Sequence, residues 1–237
     1  GWAELGGVRG DAGLAAAAAA GQGGLLLSRG EERQAHWEHF RRRLDILQGL
    51  GVPLLIVAAD FAREITADDY SSAAAALAEA ADLAGRFGVR LALEFQKGSK
   101  LCACLETAVA LVAESGATNL GVCLDLFHYY TGPSKFEDLA HLSPENLAWV
   151  QVCDVSGTPR ELAADRDRIF PGDGDFQVAP LLDVLGRLGY DGHVSLELLN
   201  PQLWQIPADR VADLGFQAVE RLLDPGRRQP PGSRGGP

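Results

Sequence analysis

The sequence predicts a single α/β domain, a (β/α)8 TIM barrel that lacks its first strand. Short apolar strands alternate with longer helices, and neighbouring parallel strands need helical crossovers of this kind. The strands are apolar on both faces, as expected when helices cover a sheet. No GxGxxG or P-loop pattern follows a strand, which argues against an open nucleotide-binding sheet. The predicted domain covers residues 1–223.

Apolar spacing and helix-ending glycines define the elements after residue 30. Apolar residues at three- and four-residue steps indicate a helix over Glu31–Leu50, which Gly51 ends. The elements that follow are predicted in this order: strand Leu54–Ala58, a helix from Asp68 or Asp69 to Phe87, strand Val89–Phe95, helix Leu105–Ser115, strand Asn119–Asp125, helix Phe136–Leu142, strand Leu147–Val155, helix Ala179–Leu188, strand His193–Leu198 and helix Ala208–Leu223.

The two ends of the chain carry weaker signals. Two further strands are predicted at Gly1–Leu5 and Gly24–Leu27, with a helix over the alanine-rich segment Ala12–Ala20. That gives about seven strands, one short of a closed barrel. The chain has no methionine, so we expect the missing strand to precede residue 1 in a longer protein. Residues 224–237 are rich in proline, glycine and arginine, which predicts a disordered tail.

Composition excludes several classes of partner. Acidic residues outnumber basic ones, 32 against 21, and the net charge is −11, so we expect no nucleic-acid partner. No apolar run approaches the ~20 residues of a membrane span. A homo-oligomer stays open. Free thiols in a reducing, cytoplasmic compartment are predicted from four cysteines without a CxxC pair: Cys102, Cys104, Cys123 and Cys153.

Polar side chains stand near the carboxyl ends of the last four predicted strands. A single acid at such a place is more often a helix cap or an ion-pair partner. In a parallel barrel, however, all these ends share the face where active sites are built. Buried carboxylates that converge repel one another, and a divalent cation is the simplest group that makes them tolerable. The polar strand-end residues are Glu94, Asp125, Gln151, Asp154 and Glu197. Four consecutive strands that end in this way predict a shared metal site.

Two other features point to the same face. Asp125 and His128 form a DxxH pair, which would place an imidazole at the site mouth as a hydrogen-bond donor or acid-base group. The long loop after Leu147–Val155 holds a DRDR run and a Pro-Gly-x-Gly turn. An arginine there could hold a substrate hydroxyl or carboxylate.

The run from about Phe40 to Leu223 resembles the xylose isomerase-like barrel family of sugar phosphate isomerases and epimerases. The matching segments are LALEF, GVCLDLFHYYTG, VQVCDV, DRDRIFPGDGD and GYDGHVSLELLNP. The resemblance implies that Glu94, Asp125, Gln151 and Glu197 hold a metal. It also implies substrate contacts from His128 and an arginine of the DRDR run, and the candidates for substrate binding are His128, Arg166, Arg168 and Asp154.

Position 151 departs from the commonest family pattern, which has histidine there. Three carboxylates and an amide oxygen suit Mn²⁺, Mg²⁺ or Co²⁺ better than Zn²⁺. Gln151 and the FPGxGD loop also resemble the branch that contains metal-dependent 3-dehydroshikimate dehydratases. The endonuclease branch, which uses several zinc ions, more histidines and a basic groove, is unlike this chain.

Three functions fit these residues. The first is a divalent-metal-dependent isomerase or epimerase of a small sugar or polyol that works through an enediolate. Its proton would be moved by Glu94 and Glu197, with His128 as an alternative donor. The second is a lyase that dehydrates a cyclic hydroxy-ketone such as 3-dehydroshikimate. The third is a non-catalytic barrel that binds a metal or ligand.

Overall fold

A computed structural model describes residues 13–61 and 64–224 as a single parallel sheet flanked by helices. The strands, hydrogen-bonded in sequential order, are β1 (Ala19–Gln22), β2 (Leu54–Ala58), β3 (Arg90–Glu94), β4 (Leu120–Asp125), β5 (Leu147–Val152) and β6 (Val194–Leu196). The helices are α1 (Gly30–Leu50), α2 (Ala67–Gly85), α3 (Leu105–Ser115), α4 (Leu126–Thr131), α5 (Val178–Leu188) and α6 (Ala208–Leu223). Sequential parallel strands with helical crossovers are the wall of a (β/α)8 barrel.

Burial explains why the inner strands read as continuous apolar runs. Every residue of β4 and β5 is buried, because helices pack on one face and the barrel interior lies on the other. Inside the barrel, a small apolar cluster lies beneath the strand ends. Side chains two residues apart on a strand share a face. This cluster therefore lies directly beneath the inward-facing residues at the carboxyl ends of the strands. Its members are Leu54, Ile56, Ala92, Cys123, Ala148 and Trp149.

Most predicted elements are confirmed. The bounds of Leu54–Ala58, Leu105–Ser115 and Ala208–Leu223 coincide with the observed ones. Several strands are shorter than predicted at their ends, and the segment Phe136–His141 is a 3-10 helix. Thr66, rather than Asp68 or Asp69, is the N-cap of α2.

The alanine-rich segment was predicted wrongly as a helix. Residues 14–18 have no regular structure, and the strand β1 follows at Ala19–Gln22. The helix propensity of alanine is a weak preference. Parallel pairing of β1 with β2, and the packing of Ala17 and Ala18 against the barrel-interior cluster, outweigh it.

The strand predicted at Gly24–Leu27 is also wrong, because this segment bends around a carboxylate. Asp60 accepts the backbone N–H groups of Gly24, Leu26 and Leu27 at 2.6, 2.9 and 2.8 Å. Amides that point at one side chain cannot pair with a neighbouring strand.

Three expectations concern the chain ends and the membrane. The predicted strand Gly1–Leu5 lies outside the described residues. The predicted tail lies outside them too, apart from Asp224, which directly follows α6. None of the helices in the described ranges is long and apolar enough to cross a membrane.

Candidate metal centre and active site

The carboxyl ends of neighbouring strands bring four oxygen-bearing side chains to one face of the sheet. Asp125 is the last residue of β4 and pairs in register with Gln151 of β5. Glu94 ends β3, and Glu197 directly follows β6. The exposed fractions are 8% for Glu94, 0% for Asp125 and 3% for Gln151, and 21% for the Glu197 side chain. These four side chains therefore lie at one end of the sheet, and three of them are buried.

A guanidinium lies among these carboxylates. Arg168 Nη2 is 2.8 Å from Asp125 Oδ2, and Nη1 is 3.2 Å from Asp125 Oδ1. Nη1 also lies 3.0 Å from Glu197 Oε2. The Arg168 side chain is 1% exposed and stacks over Phe127, with Cζ 4.4 Å from the ring centroid. Phe127 thus shields this ion-pair network from water.

The donor set fits a divalent cation. When Glu94, Asp125 and Glu197 are all ionised, their three negative charges face the single positive charge of Arg168. The more exposed Asp165 adds a fourth carboxylate 3.0 Å from the guanidinium, so the excess is at least two. A buried excess of that size is costly unless a cation balances it. One dication would do so, and carboxylate oxygens are the ligands that hard divalent metals prefer.

Burial and mutual repulsion favour the protonated forms of two carboxyls. Burial raises the pKa of Glu94 well above its usual value, and the charges of Asp125 and Glu197 raise it further. Burial, followed by the charge of Asp125, raises the pKa of Glu197 to about 8. Burial acts in the same direction on Asp125, but Arg168 outweighs it and the pKa of Asp125 lies below its usual value. Glu197 can therefore exchange a proton near neutral pH.

His128 faces the carboxylates from the first turn of α4. Asp125 caps this helix by accepting the Phe127 N–H at 2.7 Å, which fixes where His128 points. Its Nδ1 accepts the Lys97 N–H at 3.4 Å, and its Nε2 lies 3.8 Å from Asp125 Oδ2. Burial lowers the pKa of His128, so a neutral ring carries its proton on Nε2. His128 thereby presents a hydrogen-bond donor to the site.

The potential ligand atoms differ in availability. Glu94, Asp125 and His128 each offer an atom within 4.8 Å of the other two. Because Nδ1 of His128 already accepts a backbone N–H, this ring suits donation from Nε2 better than ligation. Gln151 Oε1 accepts a hydrogen bond from Cys123 Sγ at 3.0 Å. Burial raises the pKa of Cys123 well above its usual value, so the thiol stays protonated and orients the amide.

Asp154 is not available to substrate, so the contact predicted for it is wrong. Its exposed fraction is 0%. Its carboxylate accepts the backbone N–H groups of Val155, Gly172 and Phe176 at 2.9, 3.0 and 2.9 Å. The Asp154 carboxylate is therefore used in hydrogen bonds to the loop that follows it.

Arg166 and Arg168, equivalent candidates in the sequence, have opposite surroundings. Arg166 is exposed on the 3-10 turn Asp165–Asp167 and forms no ion pair with the described carboxylates. Arg168 is buried among the side chains of the site. Of the two, the structure brings only Arg168 to the carboxylate cluster.

Sequence reasoning missed Lys97, which lies over the site. Its Nζ donates to the carbonyl of Arg160 at 3.2 Å and to that of Ala163, and it lies 5.2 Å from the Phe127 ring centroid. Lys97 thereby ties the loop after β3 to the loop after β5. Its position three residues beyond Glu94 could have suggested a place at the mouth.

Comparison with known proteins identifies the family. A sequence profile of the xylose isomerase-like TIM barrel family matches residues 3–216. The chain belongs to this family. The barrel fold predicted from strand and helix alternation is thus confirmed. The solved structure of the IOLI protein with a bound zinc atom is similar to this xylose isomerase-like barrel, with a TM-score of 0.86. The two structures align over 94% of this chain and 81% of the IOLI chain, with 22% sequence identity.

Curated relatives of this xylose isomerase-like chain come from two enzyme groups. The inosose isomerase of Halalkalibacterium halodurans is 28% identical over 174 residues, which are 72% of this chain and 61% of the relative. The 3-dehydroshikimate dehydratase of Pseudomonas aeruginosa is 28% identical over 190 residues, 77% of this chain and 29% of the relative. The chain thus spans about six tenths of the length of the first relative.

Proposed function

We propose that this chain is a divalent-metal-dependent isomerase or epimerase of a small sugar or polyol. The observation that carries the proposal is the buried cluster of Glu94, Asp125 and Glu197 around one guanidinium at the strand ends. Glu197 is the most exposed of the three carboxylates, at 21%, and a carboxylate can act as a general acid or base. Similarity to an inosose isomerase supports the same reaction class.

The metal would be held by four oxygen donors, Glu94, Asp125, Gln151 and Glu197. When bound, a divalent cation polarises a substrate carbonyl and stabilises the negative charge that develops on its oxygen. This donor set favours Mn²⁺, Mg²⁺ or Co²⁺. The IOLI protein is described with zinc, so Zn²⁺ belongs in every binding comparison.

Proton transfer is assigned to the two glutamates. Glu197 would accept a proton from the carbon next to the carbonyl and return a proton to the former carbonyl carbon. The proton of the adjacent hydroxyl would pass to the former carbonyl oxygen, which completes the isomerisation. Return of a proton to the other face of the same carbon, from Glu94, would epimerise it. Glu94 stands on β3, three strands along the sheet from β6, which suits two groups that flank one substrate. The Nε2–H of His128 would hold a substrate oxygen.

A lyase of the 3-dehydroshikimate dehydratase type is the second candidate. Gln151 and the similarity to a curated dehydratase favour it. The same proton abstraction, followed by departure of a hydroxyl from the adjacent carbon, removes water. A carboxylated substrate also needs a cation at the mouth. Arg168 is already engaged by Asp125 and Glu197, and the Lys97 ammonium is engaged by the carbonyls of Arg160 and Ala163. The isomerase or epimerase is therefore ranked first.

A substrate panel in D₂O tests the proposal. Protein loaded with Mn²⁺ is incubated with inososes, ketoses and 3-dehydroshikimate, and products are followed by NMR. The proposal expects an isomerised or epimerised product that carries deuterium at the carbon next to the carbonyl. Conversion of 3-dehydroshikimate alone to an aromatic product would instead assign the lyase. A Mn²⁺-dependent thermal shift without turnover of any panel member would assign a non-catalytic barrel.

A further inference from the structure

Asp154 is a buried carboxylate that the proposed reaction does not use. It lies two residues beyond the end of β5 and is 0% exposed. No ion pair compensates its charge within the described residues. Three backbone N–H groups do so instead, one from Val155 beside it and two, from Gly172 and Phe176, across the loop that leads to α5. Burial of a charged group is costly unless hydrogen bonds compensate it. The hydrogen bonds of Asp154 therefore point to a structural role in this loop.

The backbone of Asp154 is hydrogen-bonded to the same part of the loop. Its N–H donates to the Ile169 carbonyl at 3.0 Å, and the Ile169 N–H donates back at 2.9 Å. This pair of bonds is an isolated antiparallel bridge. Ile169 directly follows Arg168, so the bridge fixes the point from which the Arg168 side chain leaves the backbone.

Glycines in the loop leave room for this arrangement. A Cβ at Gly174 would overlap with Oδ1 of Asp154 and with the Val155 carbonyl oxygen. Gly172 has a φ of 91°, a backbone conformation that residues with a side chain rarely adopt. The Pro-Gly-x-Gly turn noted in the sequence therefore matches the shape of the Asp154 carboxylate.

We infer that Asp154 is a positioning residue, which fixes the segment 169–176 so that Arg168 is held between Asp125 and Glu197. The carboxylate gathers the amides of Gly172 and Phe176, and the bridge to Ile169 sets the start of the segment. Arg168 then reaches both carboxylates from a fixed base. For its catalytic consequence, this inference rests on the proposed function.

Hydrogen exchange tests the direction of this dependence without any assay of activity. Asp154→Asn keeps the shape of the side chain but replaces one acceptor oxygen with a donor. It should speed exchange in peptides covering 169–176 by roughly tenfold, the effect of losing one hydrogen bond to a charged acceptor. Arg168→Met should speed exchange in these peptides by no more than about twofold beyond its effect on peptides from the rest of the barrel, because the loop does not depend on the guanidinium.

Two further variants complete the exchange measurement. Gly174→Ala presses on the same carboxylate from the other side and should reproduce Asp154→Asn. Gln177→Ala, an exposed change directly after the segment, should not. Unchanged exchange in both Asp154→Asn and Gly174→Ala overturns the inference. So does equal release of the segment by Arg168→Met, which would mean that the arginine holds the loop.

Measurements of kcat provide a second test of the inference. If Asp154 acts through Arg168, Asp154→Asn lowers kcat by roughly tenfold in the wild-type background and by less than about twofold in the Arg168→Met background. Equal factors in both backgrounds overturn the inference. If the wild type turns over no substrate, the proposed function fails while the exchange arm still decides the positioning role.

Discussion

Asp125 and Arg168 form a two-pronged ion pair at the centre of the site, with Nη2–Oδ2 at 2.8 Å and Nη1–Oδ1 at 3.2 Å. Both side chains are buried, at 0% and 1% exposure. The pair keeps the pKa of Asp125 below its usual value in surroundings that raise the pKa of Glu94 and Glu197. Asp125 therefore stays an anion, while its neighbours can hold protons.

Removal of the guanidinium should destabilise the metal-free protein. Arg168→Met leaves Asp125 buried without its counter-charge, which costs about 3 kcal/mol in the free energy of unfolding. Urea denaturation in EDTA measures the loss. Arg166→Met, two residues away and exposed, should stay within about 0.5 kcal/mol of wild type. Similar losses in both variants would contradict the central place given to the Asp125–Arg168 pair.

Glu197→Gln should separate catalysis from folding. The amide keeps the shape of the side chain but cannot move a proton, so kcat should fall by ~10³-fold while the melting temperature is kept or raised. The amide cannot ionise, so it avoids the burial and the Asp125 charge that disfavour an ionised Glu197. The exposed change Glu161→Gln is the control. Substantial turnover by Glu197→Gln would show that another group moves the proton.

Metal-free stability should decline with rising pH. The pKa of Glu197 rises from 4.5 to about 8 on folding. Between those values the folded protein holds a proton that the unfolded chain has released, so the free energy of unfolding falls as pH rises through this window. Denaturation in EDTA at several pH values measures the slope. Glu197→Gln should flatten it, and parallel slopes for the two proteins would be evidence against the raised pKa.

Gln151→His should change metal preference. It replaces an amide oxygen with an imidazole nitrogen, and the ratio of Zn²⁺ to Mn²⁺ affinity should rise at least about tenfold. Competition between the two metals, followed by calorimetry, gives this ratio. Gln177→His, at an exposed position outside the site, should leave it unchanged. An unaltered ratio in Gln151→His would remove Gln151 from the ligand set.

The sequence predicts the barrel wall and the strand-end carboxylates well, for a physical reason. A strand buried on both faces is apolar along its length, so a polar residue such as Asp125 at its end stands out. The alanine-rich segment was misjudged because its strand depends on pairing with β2, a contact that local propensity does not report.

The roles of the loop residues could not be read in the same way. Arg168 meets Asp125 across 43 positions of chain, and nothing local distinguishes it from Arg166. Asp154 looks like another strand-end acid, yet its partners are backbone amides of a folded loop. Such roles depend on contacts between distant residues, which are visible only in the folded loop.

Crystals grown with Mn²⁺ and measured at the manganese absorption edge would show whether the strand-end side chains bind a divalent metal. We expect one anomalous peak, at coordination distance from the oxygens of Glu94, Asp125, Gln151 and Glu197. The absence of a peak at these four side chains, or a peak only elsewhere in the protein, would rule out the proposed metal site.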